Sequence, residues 1–202
     1  IIDWLDNQVI DLIPLQPSFS PQSNPSQLHM LVNKMPDDNS CLFHAIKRTI
    51  GVDLQTTSMR RIIYNTILGN PIQYTEAVLG KPRREYAAGM LDSAWGGGIE
   101  LAIMAKYFQH EIAVVDVQSG HFDVFAENCG YPYRVYLLYT GIHYDALELS
   151  DGTTKFKPDD QCALNCAKKI ASDMRGQRQY TNVQEFTLEC ESCGVRFKGA
   201  KE

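Results

Sequence analysis

The sequence predicts an α+β domain, with helices gathered in its first half and a sheet in its second. Three observations lead there. Apolar residues recur at helical spacing up to about residue 108, short β-branched runs follow to residue 149, and the two patterns do not alternate as βαβ units would.

Residues 1–30 read as a linker or extended arm, because the stretch from Pro14 to Gln27 is rich in Pro, Ser, Gln and Asn and can bury little surface. Leu42, Ala45, Ile46, Thr49 and Ile50 share one helical face, which starts a helix near Ser40 or Cys41. Met59, Ile62, Ile63, Thr66 and Ile67 mark a second helix. Asn70-Pro71 reads as an N-cap followed by proline at the first helical position, opening a third. A fourth spans Arg83 to Leu91, and after the Gly96-Gly97-Gly98 break a fifth runs from Ile99 to Phe108. The period then becomes extended. Ile112 to Val117 is typical of a buried strand, and Phe122 to Phe125, Arg134 to Tyr139 and Tyr144 to Leu149 complete the sheet. Past Ser150, residues 151–185 form a helical extension whose amphipathic run from Asp160 to Met174 ends at Arg175-Gly176. The tail carries Cys190-Glu191-Ser192-Cys193 on a short hairpin.

With 202 residues, 44% of them hydrophobic, the chain can bury a proper core without disulfide or metal staples. A net charge of -5 and a pI near 5.5 speak against nucleic acid as the main partner. No run of the sequence is apolar enough for a signal peptide or a membrane span. The six cysteines in a core-rich chain point to a reducing, intracellular setting; a monomer in the cytoplasm, with a nuclear pool as well, is expected. The chain opens on Ile1 rather than Met, so it is expected to be a fragment of a longer protein.

The segment from Pro36 to Phe43 carries the most chemistry. A polar turn delivers Cys41 to a helix N-terminus, where free N–H groups and the helix dipole favour a thiolate and can face an oxyanion. The same residues also suit a buried helix-start cysteine with a polar cap. A thiolate needs a base. His44 sits on the nucleophile's own helix with little freedom to meet a leaving amine, and is read as packing. His29 lies beside the linker, while His110 and His121 lie near strand ends with no acid in a telling position. His143 differs, because Asp145 two residues on can share its face of a strand and hold the imidazole in the needed tautomer. A surface ion pair at a strand end is the plain alternative.

Together, Pro36 to Phe43, Trp95 to Leu101 and Gly141 to Asp145 resemble, in order, the three signature segments of the OTU (ovarian tumour) deubiquitinases. The resemblance covers roughly Leu31 to Leu149. It implies a papain-like fold, a central mostly antiparallel sheet flanked by helices, and thiol-dependent cleavage of the isopeptide bond after ubiquitin's C-terminal glycine. No cofactor is expected for catalysis. By position, Cys41 would be the nucleophile and His143 the base. The acid is shared between Asp145, beside the histidine, and Asp38, which matches the aspartate holding the oxyanion loop. Trp95, Gly96, Gly97, Gly98 and Tyr144 would contact ubiquitin's tail, since glycine admits a close backbone and an aromatic walls a channel. A core tryptophan at a glycine-rich helix start is the other reading of Trp95.

The most similar subgroup carries an N-terminal ubiquitin-like (UBX-like) domain, works with the valosin-containing AAA ATPase in endoplasmic-reticulum-associated degradation, and ends in a C2H2 zinc finger. The ATPase is thus an expected partner of the longer protein, through a domain outside this sequence. Residues 186–202 resemble the first half of the finger. The first histidine of such a finger falls about twelve residues past the second cysteine, beyond Glu202, so Cys190 and Cys193 are expected to form an incomplete zinc site here. Cys162 and Cys166, spaced i, i+4, read as packing, and the region Pro158 to Ala163 corresponds to one that helps the subgroup hold a second ubiquitin. A non-catalytic ubiquitin-binding module and a hydrolase for another ubiquitin-like modifier are the rival readings.

Overall fold

The computed structural model describes residues 29–183 together with two short paired strands, Thr187–Glu189 and Arg196–Lys198. In order come β1 (Met30–Asn33), α1 (Cys41–Ile50), α2 (Thr56–Gly69), α3 (Glu76–Leu79), α4 (Arg83–Leu91), α5 (Gly98–Phe108), β2 (Glu111–Asp116), β3 (Phe122–Phe125), β4 (Arg134–Tyr139), β5 (Tyr144–Leu149) and α6 (Gln161–Gly176). The terminal pair are β6 and β7. The expected N-terminal arm and the Cys190 and Cys193 pair lie outside the described residues.

Five strands form one sheet in the order β1-β5-β4-β2-β3, antiparallel except for the parallel β2–β4 pair. The strand period of two then divides the core. Ile112, Val114, Val135, Leu137 and Ala146 face the layer of α1, α2, α4 and α5. Ala113, Val115, Tyr136, Leu138 and Leu147 face α6 through Ala163, Ala167 and Ala171. β2 and β4 are buried on both faces, which is why they read as continuous apolar runs. Fully buried Ile46, Met59 and Ile63 join α1 and α2 to the first core, each contributing about 1.5–3 kcal/mol of burial. The α+β expectation and its helix-flanked, mostly antiparallel sheet are met.

Two local expectations are not. Asn70-Pro71 opens no helix: Asn70 closes a single turn, its side chain accepting from Gln73 N–H and its carbonyl from Tyr74 N–H. The helix starts five residues later, where the Thr75 hydroxyl accepts from Val78 N–H as N-cap. The body also begins earlier than Leu31. Met30 is buried in β1, and Met30–Asn33 pairs with Leu149–Ala146 at the sheet edge.

Candidate active site

The turn before Cys41 is held by side chains from three directions. Asp38 accepts from Ser40 N–H at 2.7 Å and from the His44 ring at 3.0 Å. Burial pushes the Asp38 carboxyl up, but the Ser40 N–H, His44 and the Arg60 charge outweigh it, so its pKa lies below the ordinary value. His44 is therefore a hydrogen-bond partner of Asp38 and not merely a packing residue. Arg60, from α2, was not singled out by the sequence. Its buried guanidinium donates to the carbonyls of Met90, Ala94 and Asn39 and to the Ser40 hydroxyl, and its carbon lies 4.6 Å from the centre of the Phe43 ring. It ties the turn to the loop after α4. Trp95 on that loop donates from Nε1 to Asn39 Oδ1 at 2.6 Å and remains 60% exposed, which removes the reading of a core tryptophan.

Cys41 opens α1 with its side chain almost fully buried. The backbone N–H groups of Tyr144 and Leu42 reach its sulfur. The contact with Tyr144 sets Cys41 against the residue adjoining His143, joining segments about a hundred positions apart. Contrary to the expected thiolate, burial pushes the thiol pKa up, and the charges of Asp38 and Asp145 push the same way against the two N–H groups. The sulfur at rest is a protected thiol that needs a base to take its proton.

His143 sits in the β4–β5 turn, closed by Thr140 N–H donating to the His143 carbonyl at 3.0 Å. Gly141 makes this turn at φ 101, and a Cβ there would lie 2.2 Å from the Thr181 carbonyl. Thr181 N–H in turn donates to the Thr140 carbonyl at 2.7 Å, so the chain returning from α6 braces the histidine turn. His143 Nε2 lies 3.2 Å from Oδ1 of Asp145, which is fully buried. The same oxygen accepts from Met35 N–H at 2.9 Å, and Oδ2 accepts from Lys34 at 2.7 Å. Both partners follow β1, so the edge strand missed in the sequence clamps the carboxylate. This separates the two acids: Asp145 contacts the histidine and Asp38 holds the turn before the cysteine. The other ring nitrogen, Nδ1, lies 3.7 Å from the exposed Asp37 carboxylate.

The glycine segment closes the site. Gly97 caps α5, its N–H donating to Glu100 at 2.7 Å, while Tyr86 donates to the other Glu100 oxygen at 2.8 Å. A Cβ on Gly96 would meet Leu42 Cδ2 at 2.5 Å, so the loop packs directly on α1. A cavity of about 270 Å³ is lined by Cys41, Trp95, the three glycines and the Tyr139 and Tyr144 pair, whose rings lie 4.6 Å apart. Cys41, Trp95, Gly96, Gly97, Gly98 and Tyr144 thus share one cavity, while His143 lines an adjoining cleft that shares Ile142 with it.

Of the remaining histidines, His121 does have an acid in register: Asp123, two residues on, lies 3.0 Å away. The pair repeats the His-x-Asp spacing of His143 and Asp145 but is exposed at the start of β3. His110 stacks on Tyr133. Cys162 is exposed and Cys166 half-buried against the α6 core, so packing accounts for Cys166 only. Among the described residues no group of three or more His, Cys, Asp or Glu side chains is arranged to hold a metal, and no helix is long and apolar enough to cross a membrane.

No protein-family model matches the chain. It is 36% identical over 202 residues to ubiquitin thioesterase OTU1 of Mus musculus, covering 92% of this chain and 59% of the relative. It is 39% identical over 179 residues to the Danio rerio protein of the same name, covering 83% and 60%. The chain therefore spans about three fifths of the length of these relatives. Among solved structures it superimposes on an ovarian tumour (OTU) domain in complex with ubiquitin, with TM-score 0.74 and 30% identity over 79% of this chain and 94% of the other. An OTU deubiquitinase from Wolbachia pipientis wMel shares the fold at TM-score 0.51 and 16% identity, covering 62% and 92%.

Proposed function

The chain belongs to the ovarian tumour (OTU) domain family, and from that premise we propose that it is a ubiquitin thiol hydrolase in which Cys41 attacks, His143 moves the proton and Asp145 orients the imidazole. The observation that carries this reading is that Cys41 and Tyr144 line one cavity, which sets the cysteine beside the residue adjoining a histidine whose Nε2 meets a buried carboxylate.

The chemistry follows from the geometry. Ubiquitin's tail lies in the cavity bounded by Trp95 and the glycines, where no side chain blocks the backbone. His143 takes the thiol proton as the sulfur adds to the isopeptide carbonyl, and the resulting oxyanion faces the N–H groups of the turn that Asp38 and Arg60 hold. The imidazolium returns its proton to the lysine nitrogen as the C–N bond breaks and the thioester forms. Water, deprotonated by His143, then adds to the thioester and releases the thiol. No step draws on a cofactor. Asp38 positions the turn and acts on the reaction only through it.

For the longer protein, we assign trimming of polyubiquitin chains in protein quality control, in the cytoplasm and in partnership with the valosin-containing AAA ATPase. The OTU1 relatives' name, ubiquitin thioesterase, supports the activity, and the cellular setting and the ATPase extend the subgroup resemblance of the sequence. The region Pro158 to Ala163, at the start of α6, is assigned to a second ubiquitin. The deciding experiment is labelling with a ubiquitin C-terminal propargylamide probe. The wild type should form a covalent adduct, and Cys41→Ala should not while still binding ubiquitin. A folded wild-type protein that binds ubiquitin but forms no adduct would identify a non-catalytic binding module instead. Adducts with a different ubiquitin-like modifier only would reassign the substrate.

A further inference from the structure

A second cleft, of about 550 Å³, is lined by His143 and shares Ile142 with the glycine-lined cavity. Its walls are Lys34 and Asp37 before α1, Thr140 to His143 in the β4–β5 turn, and residues 178–181 returning from α6. That return is well held: Arg178 N–H donates to Arg175, Gln179 N–H to Met174, and Thr181 N–H to Thr140. Arg178 occupies the left-handed region at φ 57, where the chain reverses.

The charges of the cleft are not equivalent. Lys34 is engaged by Asp145 at 2.7 Å. Arg178 is exposed and makes no salt bridge among the described residues. Asp37 is fully exposed, 3.7 Å from His143 Nδ1, the nitrogen not turned to Asp145. On the proposed thiol-hydrolase reading, the ubiquitin tail fills the other cavity, so the departing lysine must leave from the side where His143 can protonate it. That side is this cleft. Asp37 then stands where the product ammonium appears, and Arg178 offers a two-pronged donor from another wall of the same cleft.

We infer that this cleft is the leaving-side subsite, that it takes the lysine-bearing strand of the acceptor protein, and that Arg178 selects acceptors with an acidic residue beside that lysine. The inference rests on the hydrolase reading, and its test separates the two. Ubiquitin is joined through isopeptide bonds to fluorescent peptides whose lysine is flanked by Glu or by Lys, and each is compared with ubiquitin carrying a small aminocoumarin leaving group. For the wild type, kcat/KM should favour the Glu-flanked peptide over the Lys-flanked one by roughly three- to ten-fold, the scale of an exposed charge pair with good geometry. Arg178→Glu should reverse the order, and Arg178→Lys should keep its sign. Because each ratio is taken on one preparation, a partial loss of folded protein cancels. Equal ratios in the wild type and Arg178→Glu would overturn the assignment. Failure of the wild type to turn over even the aminocoumarin substrate would sink the hydrolase reading, and the subsite with it.

Discussion

Asp145→Asn tests the role of the buried carboxylate, and the structure sets the size of the effect. Oδ1 serves both Met35 N–H, at 2.9 Å, and His143 Nε2, at 3.2 Å, while Oδ2 serves Lys34. An asparagine can keep its carbonyl toward Met35 and His143 and turn its NH2 toward Lys34. Lys34 is 66% exposed and can swing into water at little cost. The opposite orientation sets NH2 against the Met35 N–H and is disfavoured. The imidazole therefore keeps the tautomer in which Nδ1 is free to act as base, and the loss is confined to the charge that stabilises the imidazolium. A charge-assisted contact of this kind contributes about 1.5–3 kcal/mol, which at 1.36 kcal/mol per decade is roughly a 10- to 150-fold fall in kcat/KM. Turnover of a fluorogenic ubiquitin substrate measures it, alongside a thermal melt. Asp145→Ala, which also strips Met35 of its acceptor, should lose more activity and about 1–3 kcal/mol of stability. Asp145→Asn at half of wild-type activity or more would show that the carboxylate's charge does not stabilise the His143 imidazolium. A loss near the roughly 10⁴-fold that accompanies a wrong tautomer would show that Met35 does not fix the amide.

Three further perturbations follow from the same geometry. Alkylation of Cys41 by iodoacetamide should reach half its maximal rate only above pH 9.0, the midpoint of an ordinary cysteine, because burial raises the thiol pKa; a midpoint at or below 9.0 would contradict this. Asp38→Asn should lower the melting temperature at neutral pH. The depressed native pKa means this contribution is present above the ordinary 3.8 and lost as pH falls below it, so the gap to wild type should close in acid. Gly96→Ala drives a methyl against Leu42, and should cost about 1–3 kcal/mol of stability and slow the propargyl probe; unchanged melting would show that the loop is free to shift.

Where local pattern decides structure, the sequence was legible. α1, α2, α4, α5 and α6 follow from helical spacing, and β2 to β5 from β-branched or alternating runs, with ends correct to about a residue or two. β1 was not legible, because Met30-Leu31-Val32-Asn33 is too short to show a period and exists only through its pairing with β5. Arg60 escaped for a related reason. Next to Arg61 on a polar stretch of α2 it reads as solvated charge, and only the fold places three carbonyls and a hydroxyl around it. At the site, the three motifs named the residues of one cavity and of the cleft adjoining it. The division of labour between Asp38 and Asp145 was hidden, since it depends on which histidine each carboxylate meets. His121 and Asp123 make the point from the other side: the same spacing as His143 and Asp145 yields an exposed ion pair when no cysteine folds against it.

The contact between Gly141 and Thr181 bears on how this chain can be cut and recombined. The histidine turn and the segment leaving α6 fit each other's backbone, with no room at Gly141 for a side chain between them. A shortened version ending at Gly176 would retain every residue of the proposed triad yet leave the turn that carries the base without its outer wall. A chimera that exchanges everything after α6 for another protein's sequence has to carry residues 177–183 across intact, or import a matching turn. The boundary of the smallest working unit therefore falls past the last residue of the sheet and past the last helix, at the far end of a short, irregular stretch of chain.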